Sequence, residues 1–195
     1  MRLLLIRHPQ PMIEAGICYG SSDLAVSPVV LAQAAGVLAA TLAEMLPDAA
    51  MATPARGMAL YTSPLQRCAQ LAQHLATTLD LAPAISDARL AELHFGCWEL
   101  QRWDDIPRDE VEAWAADTVH YQPGGGESVL QMAQRVAAFY QHWRAQQQDA
   151  IVICHAGTIR LLLACQRGLA PAAMALEAAQ RPHHIDYGST LLLQT

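Results

Sequence analysis

Three short apolar runs in this sequence end at residue types that can bind an anion. The runs cover residues 1–6, 58–62 and 150–154. The residues of interest that follow them are Arg7, His8, Ser63, Arg67 and His155. Guanidinium forks match phosphate oxygens, and helix N-termini would add backbone donors. If folding brings these side chains together, they form a site suited to a phosphate group.

The elements that must position these residues alternate between strand and helix. Each run has the length of a buried parallel strand. The first leads into a loop, because Pro9 and Pro11 stop a helix from following directly, and the other two lead through a polar turn into a helical pattern. The predicted helices cover 27–46, 63–79, 103–116 with a break at Pro107, 127–147 and 158–168, and a last strand covers 191–193. This alternation predicts an α/β fold with three layers, α/β/α, and a mostly parallel central sheet. Ligands of such sheets bind beyond the carboxyl ends of the strands, where the residues named above would meet.

Length and charge limit the classes of protein that remain. The 195 residues predict a single domain over 1–195. The formal net charge is -6, so the overall charge does not favour nucleic acid or an anionic membrane surface as a partner. The sequence contains no lysine, which excludes Schiff-base chemistry and the lysine of a P-loop nucleotide site.

Cysteine usage and hydropathy predict a cytoplasmic protein. The five cysteines are odd in number and nowhere spaced as Cys-x-x-Cys, so neither a disulfide framework nor a zinc site is indicated. The first apolar run is too short for the core of a signal peptide. The stretch 29–43 falls short of the roughly 20 apolar residues that span a bilayer. We therefore expect reduced thiols, no membrane partner and no metal site.

Longer motifs surround the candidate residues. They are Leu5-Ile6-Arg7-His8, Ser63-Pro64-Leu65-Gln66-Arg67, the segment 90–99, the turn 123–128 and Cys154-His155-Ala156-Gly157. Together they resemble the motifs of the histidine phosphatase superfamily, the phosphoglycerate-mutase-like enzymes. They occur in the order usual for that family and span nearly the whole chain. The resemblance therefore implies a single histidine phosphatase domain with the fold of those enzymes.

The resemblance also implies a catalytic chemistry. His8 would attack a phosphomonoester to form a phosphohistidine, and Glu92 would act as general acid and then as general base. Arg7, Arg67 and His155 would hold the phosphate oxygens and offset the charge of the transition state, so no metal or other cofactor is required. The substrate-binding residues that we expect are Arg7, Gln10, Ser22, Arg67, His155 and Ala156.

The loop after His8 departs from the family pattern at two positions. The glycine usual after the nucleophile is Pro9, which has no backbone N–H to offer to a phosphate. A phosphate-binding asparagine usual six residues after the histidine would fall on Glu14, whose carboxylate would repel phosphate unless the loop shifts its register. The phosphate-binding loop is thus predicted to differ from that of the family, while the catalytic set is intact.

Three functions remain open. The first is a metal-independent phosphomonoester hydrolase, and among compact family members the chain is most similar to α-ribazole phosphatases, which act in cobalamin synthesis. The second is a phosphoglycerate mutase or sugar phosphatase of the same family. The third is a non-catalytic module that binds a phosphorylated ligand, for which the altered loop is the only support. Apolar surface on one helix also leaves a homodimer open.

Overall fold

A computed structural model of the chain describes residues 1–45, 57–180 and 184–194. The strands of the central sheet are β1 (Arg2–Arg7), β2 (Ala59–Thr62), β3 (Ile85–Ser86), β4 (Ala150–Cys154) and β5 (Thr190–Gln194). Their order across the sheet is β3-β2-β4-β1-β5. The pairs β1 with β4, β2 with β4 and β2 with β3 are parallel, and β5 runs antiparallel to β1 at one edge. The predicted mostly parallel sheet is confirmed.

Six helices are present in the described residues: α1 (Pro28–Met45), α2 (Gln66–Thr78), α3 (Arg108–Ala116), α4 (Val129–Gln146), α5 (Ala156–Gln166) and α6 (Pro171–Gln180). The predicted break at Pro107 is observed, because a 3₁₀ turn over Trp103–Asp105 ends before it and α3 begins after it. The predicted end of the first helix at Leu46 lies outside the described residues. Helix α6 was not predicted, although proline at its first position followed by alanines is a helix-start signal.

The two faces of the sheet are covered by different helices, which gives the three predicted layers. Along β1, Leu3 and Leu5 face a core shared with α4, α5 and α6, whereas Leu4 and Ile6 face a core shared with α1 and α2. This alternation follows from the two-residue period of a strand. Since both faces are buried, the strands read as continuous apolar runs rather than as alternating patterns. Within the described residues, no helix is both long and apolar enough to cross a membrane.

The register of the three central strands brings the candidate residues together. Arg7 of β1 lies opposite Cys154 of β4, and Thr62 of β2 lies opposite Ile153. The next residue of each strand therefore leaves the sheet at the same edge. The backbone N–H of His8 donates to the carbonyl of Cys154 at 3.0 Å, which continues the ladder one residue beyond β1. The carboxyl ends of β1, β2 and β4 thus form one side of a site.

Candidate active site

A cleft of about 380 Å³ opens at the carboxyl ends of these strands. Five residues from the predicted set line it, namely Arg7, His8, Arg67, Glu92 and Ala156. They come from four separate parts of the chain, which the sheet register and the helix starts bring to one place. With Arg160, which also lines it, the cleft combines three guanidinium groups, an imidazole and a carboxyl group.

The imidazole of His8 is held in one tautomer. Its Nδ1 lies 2.7 Å from the carbonyl oxygen of Pro9, and since a carbonyl can only accept, Nδ1 carries the proton and the lone pair is on Nε2. Only 2% of the residue is exposed. Burial, together with the charges of Arg67 and Arg7, lowers the pKa of His8 to about 3. At neutral pH the ring is uncharged and retains a nucleophilic nitrogen.

Both arginines contact neutral groups of the protein. Arg67 is fully buried and donates to the carbonyls of Ser22, at 2.6 Å, and Gly20. Arg7 donates to the carbonyl of Ile185, and its guanidinium lies 3.8 Å from the ring centroid of Tyr187. The Nε atoms of both arginines are buried with no hydrogen-bond partner in the described part of the chain. Two positive charges held by carbonyls and an aromatic ring leave a field that attracts an anion.

His155 lies beside His8 but deeper in the protein. The two ring centroids are 5.0 Å apart, and His155 is fully buried and is not among the residues that line the cleft. Its Nε2 lies 2.8 Å from the hydroxyl of Ser63, a partner that the sequence analysis did not assign. Burial, with the neighbouring His8 and Arg67, holds the pKa of His155 well below its usual range. Its predicted contact with a phosphate oxygen stays a prediction.

The Glu92 carboxyl group lies at the start of α5 and lines the cleft. Its Oε2 accepts from the backbone N–H of Gly157 at 3.0 Å, and its Oε1 accepts from the N–H of Leu93 at 3.1 Å. Burial raises the pKa of Glu92, although these two bonds and the charges of Arg67 and Arg135 oppose the rise. The group therefore holds its proton to a higher pH than an exposed glutamate, as a general acid must.

The absence of a side chain at position 157 leaves room for this carboxyl group. A Cβ there would lie 2.3 Å from Oε1 of Glu92, so we expect Gly157→Ala to displace the carboxyl group rather than to unfold the helix. The expected loss of kcat is about 10- to 100-fold with little change in melting temperature. The matched control is Gly36→Ala in α1, where an added Cβ meets nothing within 4 Å. An active Gly157→Ala enzyme would show that Glu92 is not needed at this place.

Two predicted substrate contacts do not reach the cleft. Gln10 is exposed and is not among the lining residues. The hydroxyl of Ser22 instead donates to the carboxylate of Glu99. Glu14 points away, with 82% of its side chain exposed and Arg102 at 3.5 Å, so the register of the altered loop keeps this carboxylate out of the site. Substrate contacts by Gln10 and Ser22 therefore stay predictions.

Glu99 organises the loop that holds Arg67, and the sequence analysis missed this role. Its carboxylate accepts hydrogen bonds from Gly20, Ser21, Ser22 and Phe95. Burial alone would raise the pKa of Glu99, but these bonds lower it to about 2. The ionised carboxylate thereby fixes the two carbonyls to which Arg67 donates. The only sequence signal for this role was the position of Glu99 at the end of the Gly96-Cys97-Trp98-Glu99 motif.

Aromatic and apolar side chains also line the cleft. One of them is Tyr19, whose hydroxyl lies 2.6 Å from that of Tyr187. The guanidinium groups of Arg67 and Arg7 lie over the rings of Tyr19 and Tyr187 respectively. Further apolar lining comes from Leu93, Phe95, Trp114, Val129, Met132 and Leu161. The lining of the cleft therefore combines cationic and apolar side chains, which suits a phosphate attached to a group with an apolar surface.

Cysteine and metal chemistry find little support in the geometry. All five cysteines are free, and Cys68 and Cys154 are fully buried, which raises the pKa of both thiols. Across residues 1–45, 57–180 and 184–194, no cluster of three or more potential ligands among His, Cys, Asp and Glu is found. The reactive groups of the cleft are accordingly imidazole, guanidinium and carboxyl.

Sequence comparison finds a family and a curated relative. The profile described as histidine phosphatase superfamily (branch 1) matches residues 3–188. The adenosylcobalamin/alpha-ribazole phosphatase of Escherichia coli (strain K12) is 33% identical over 94 residues. That stretch covers 44% of this chain and 44% of the relative, so the match spans less than half of the curated protein.

Structural comparison finds the same fold in solved phosphatases. The crystal structure of the alpha-ribazole phosphatase from Shigella flexneri has a TM-score of 0.78 at 26% identity, over 100% of this chain and 90% of that chain. The native structure of a mycobacterial glucosyl-3-phosphoglycerate phosphatase has a TM-score of 0.73 at 23% identity, over 98% and 88% of the two chains. The second likeness shows the fold alone.

Proposed function

Because the chain belongs to the histidine phosphatase superfamily, we propose that it hydrolyses phosphomonoesters through a phosphohistidine formed on His8. The observation that carries the proposal is the state of this side chain. Its Nδ1 proton is bonded to the carbonyl of Pro9, its pKa is lowered to about 3, and two arginines lie beside it. A neutral imidazole next to an anion-binding group is the arrangement that nucleophilic attack on phosphorus requires.

In the first step, Nε2 of His8 forms a bond to phosphorus while the bond from phosphorus to the leaving oxygen breaks. Glu92 gives its proton to that oxygen, so the leaving group departs as a neutral alcohol. Arg7 and Arg67 offset the charge that spreads over the non-bridging oxygens, and His155 contributes a further contact to them. These charges act in place of a metal ion.

In the second step, water attacks the phosphohistidine and the bond from Nε2 to phosphorus breaks. The Glu92 carboxylate left by the first step takes a proton from the water, which restores the acid form. Inorganic phosphate then leaves, and His8 is again neutral. Each turnover consumes one water and returns every protein group to its starting state.

The substrate that we propose is α-ribazole 5′-phosphate. Support comes from the curated E. coli relative and from the Shigella flexneri structure, both of which carry the alpha-ribazole phosphatase name. The apolar side chains that line the cleft agree with a leaving group that has an apolar surface. Ala156, at the start of α5, lines the cleft and is the backbone contact that we assign to the substrate.

We extend the proposal to the setting of the enzyme. The family profile covers residues 3–188, which supports a single domain over 1–195. Five free cysteines support a reducing, cytoplasmic location. The net charge of -6 argues against nucleic acid as a partner.

A homodimer is also part of the proposal. Val29 and Val37 of α1 are 64% and 67% exposed, and this apolar surface fits a contact with a second copy of the chain. Sedimentation of the purified protein would test it.

Phosphate release in the presence of EDTA tests the proposed activity. The substrates are α-ribazole 5′-phosphate, 3-phosphoglycerate and p-nitrophenyl phosphate, with His8→Ala purified in parallel as the blank for contaminating phosphatases. We expect metal-independent release with the highest kcat/KM for α-ribazole 5′-phosphate. Isomerisation of 3-phosphoglycerate without release would identify a mutase. Stoichiometric phosphate binding by folded protein without turnover would identify a binding module.

A further inference from the structure

The segment that carries Glu92 is irregular, and an arginine from another layer holds its backbone. Arg135 of α4 donates from Nη1 to the carbonyls of Arg89, at 2.9 Å, and Ala91, at 2.7 Å. Its Nη2 donates to the carbonyl of Glu92 itself at 3.1 Å. One guanidinium group thus binds three backbone acceptors within four residues. Carbonyls of a loop that lacks a strand partner need such donors when they are buried.

Glu127 in turn holds the guanidinium of Arg135. Its two carboxylate oxygens accept from Nε and Nη2 at 2.7 and 2.8 Å, a bidentate pair. The two side chains are only 21% and 19% exposed, so the pair is screened less than one on the surface. The backbone N–H of Glu127 donates to the carbonyl of His94 at 2.7 Å. The pair therefore connects both ends of the segment 89–94 to the start of α4.

Close backbone packing makes the glycine-rich turn and this segment one unit. A Cβ at Gly126 would lie 2.1 Å from the carbonyl oxygen of His94, and one at Gly124 would lie 2.4 Å from that of Phe95. Helix α4 begins directly after the turn with a capping box between Ser128 and Gln131. The helix start is thereby fixed relative to the turn, and the place of Arg135 is fixed with it.

We propose that Arg135, held by Glu127, is a positioning residue that fixes the backbone of residues 89–92 and so directs the Glu92 carboxyl group into the cleft. The inference rests on the proposed function of Glu92. Arg135 does not line the substrate cleft. With Glu127 and Glu92 it lines a separate depression, so it acts through the backbone and not by touching the substrate.

Substitutions at Arg135 should impair proton transfer selectively. For Arg135→Met and Arg135→Lys we expect kcat for an alkyl phosphomonoester to fall about 10- to 100-fold with KM little changed, because a displacement of about 1 Å is costly in a proton transfer. The fall in the rate of the first step, measured as the burst of product by rapid quench, should be much smaller for p-nitrophenyl phosphate, whose leaving group departs without a proton. Lysine should not rescue activity, since it cannot form the bidentate pair and the three carbonyl bonds together.

Two further variants provide the controls. Arg144→Met removes an exposed arginine from the same helix and should leave both substrates unaffected. Glu127→Gln retains Arg135 but weakens its bidentate partner, so it should show the same substrate selectivity with a smaller loss. If Arg135→Met fails to fold, Glu127→Gln still tests the positioning role. Hydrogen exchange of the peptide 88–94 should be faster in the Arg135 variants than in Arg144→Met.

The outcomes separate this inference from the proposed function. An equal loss in the rate of the first step on both substrates, or full activity on both, would overturn the positioning role while leaving a phosphatase. Absence of phosphate release by the wild type would overturn the phosphatase itself. The exchange measurement does not depend on turnover, so unchanged protection of residues 88–94 in Arg135→Met would overturn the positioning role in either case.

Discussion

Replacing His8 with alanine should lower kcat for phosphate release by about 10⁴-fold or more on every substrate, because the covalent intermediate can then no longer form. The wild type quenched during turnover should contain an acid-labile, base-stable phosphohistidine, and His8→Ala should contain none. Phosphate release and intact-protein mass spectrometry measure the two effects. His8→Asn, which leaves a smaller cavity in this buried place, should be equally inactive.

The control for His8 is a histidine elsewhere in the chain. His120 has a side chain that is 66% exposed and pairs with Asp117, so His120→Ala should retain full activity. Circular dichroism establishes that the inactive variants are folded. Retained turnover and phosphoenzyme in folded His8→Ala would move the nucleophile to another group. His155, with its ring centroid 5.0 Å away, would then be the next candidate.

Glu92→Gln should lower kcat for α-ribazole 5′-phosphate by about 10²- to 10³-fold, since an alkoxide leaving group then departs without a proton. The loss in the first step should be much smaller for p-nitrophenyl phosphate. Because glutamine cannot activate water, the phosphoenzyme should accumulate with that substrate as a burst. Rapid-quench measurement of product and of phosphoenzyme distinguishes the two steps.

The pH dependence should identify the same carboxyl group. Burial raises the pKa of Glu92, so the acid form persists above the usual range of a glutamate. Since the acid form protonates the leaving group, kcat for an alkyl substrate should fall as the pH rises through this pKa. The alkaline limb should vanish in Glu92→Gln. The control is Glu112→Gln, an exposed carboxylate paired with Arg108, which should retain the wild-type profile.

The outcome that would contradict this role is also specific. If Glu92→Gln lost equal first-step rate on both substrates, showed no burst of phosphoenzyme and kept the alkaline limb, Glu92 would be a structural residue of its segment. Its two backbone hydrogen bonds, to Gly157 and Leu93, would then be its whole contribution. The selective loss and the change in the pH profile must therefore occur together.

Local signals were sufficient for the framework of the protein. The strands β1, β2 and β4 are apolar runs bounded by polar or breaking residues, and a buried parallel strand requires little more from a sequence. Proline at the first position of α1 and the capping residue Ser128 before α4 mark helix starts within a few residues of their sites. The proximity of Arg7, His8 and Arg67 was predicted from the strand ends, because the carboxyl ends of parallel strands lie at the same edge of the sheet.

Distant contacts account for what the sequence analysis could not predict. The hydroxyl of Ser63 contacts His155, which lies 92 residues away in the chain, and no local sequence pattern predicts this pairing. The role of Arg135 was missed because its acceptors are backbone carbonyls. Every residue has a backbone carbonyl, so the residue types give no indication of such contacts. The bond from the hydroxyl of Ser22, a predicted substrate contact, to Glu99 was also not predicted, since a hydroxyl donates to whichever acceptor the packing offers. Residue types and their spacing were therefore enough for the chemistry that the cleft contains, whereas the orientation and protonation of each group depend on burial and on partners that come together in three dimensions.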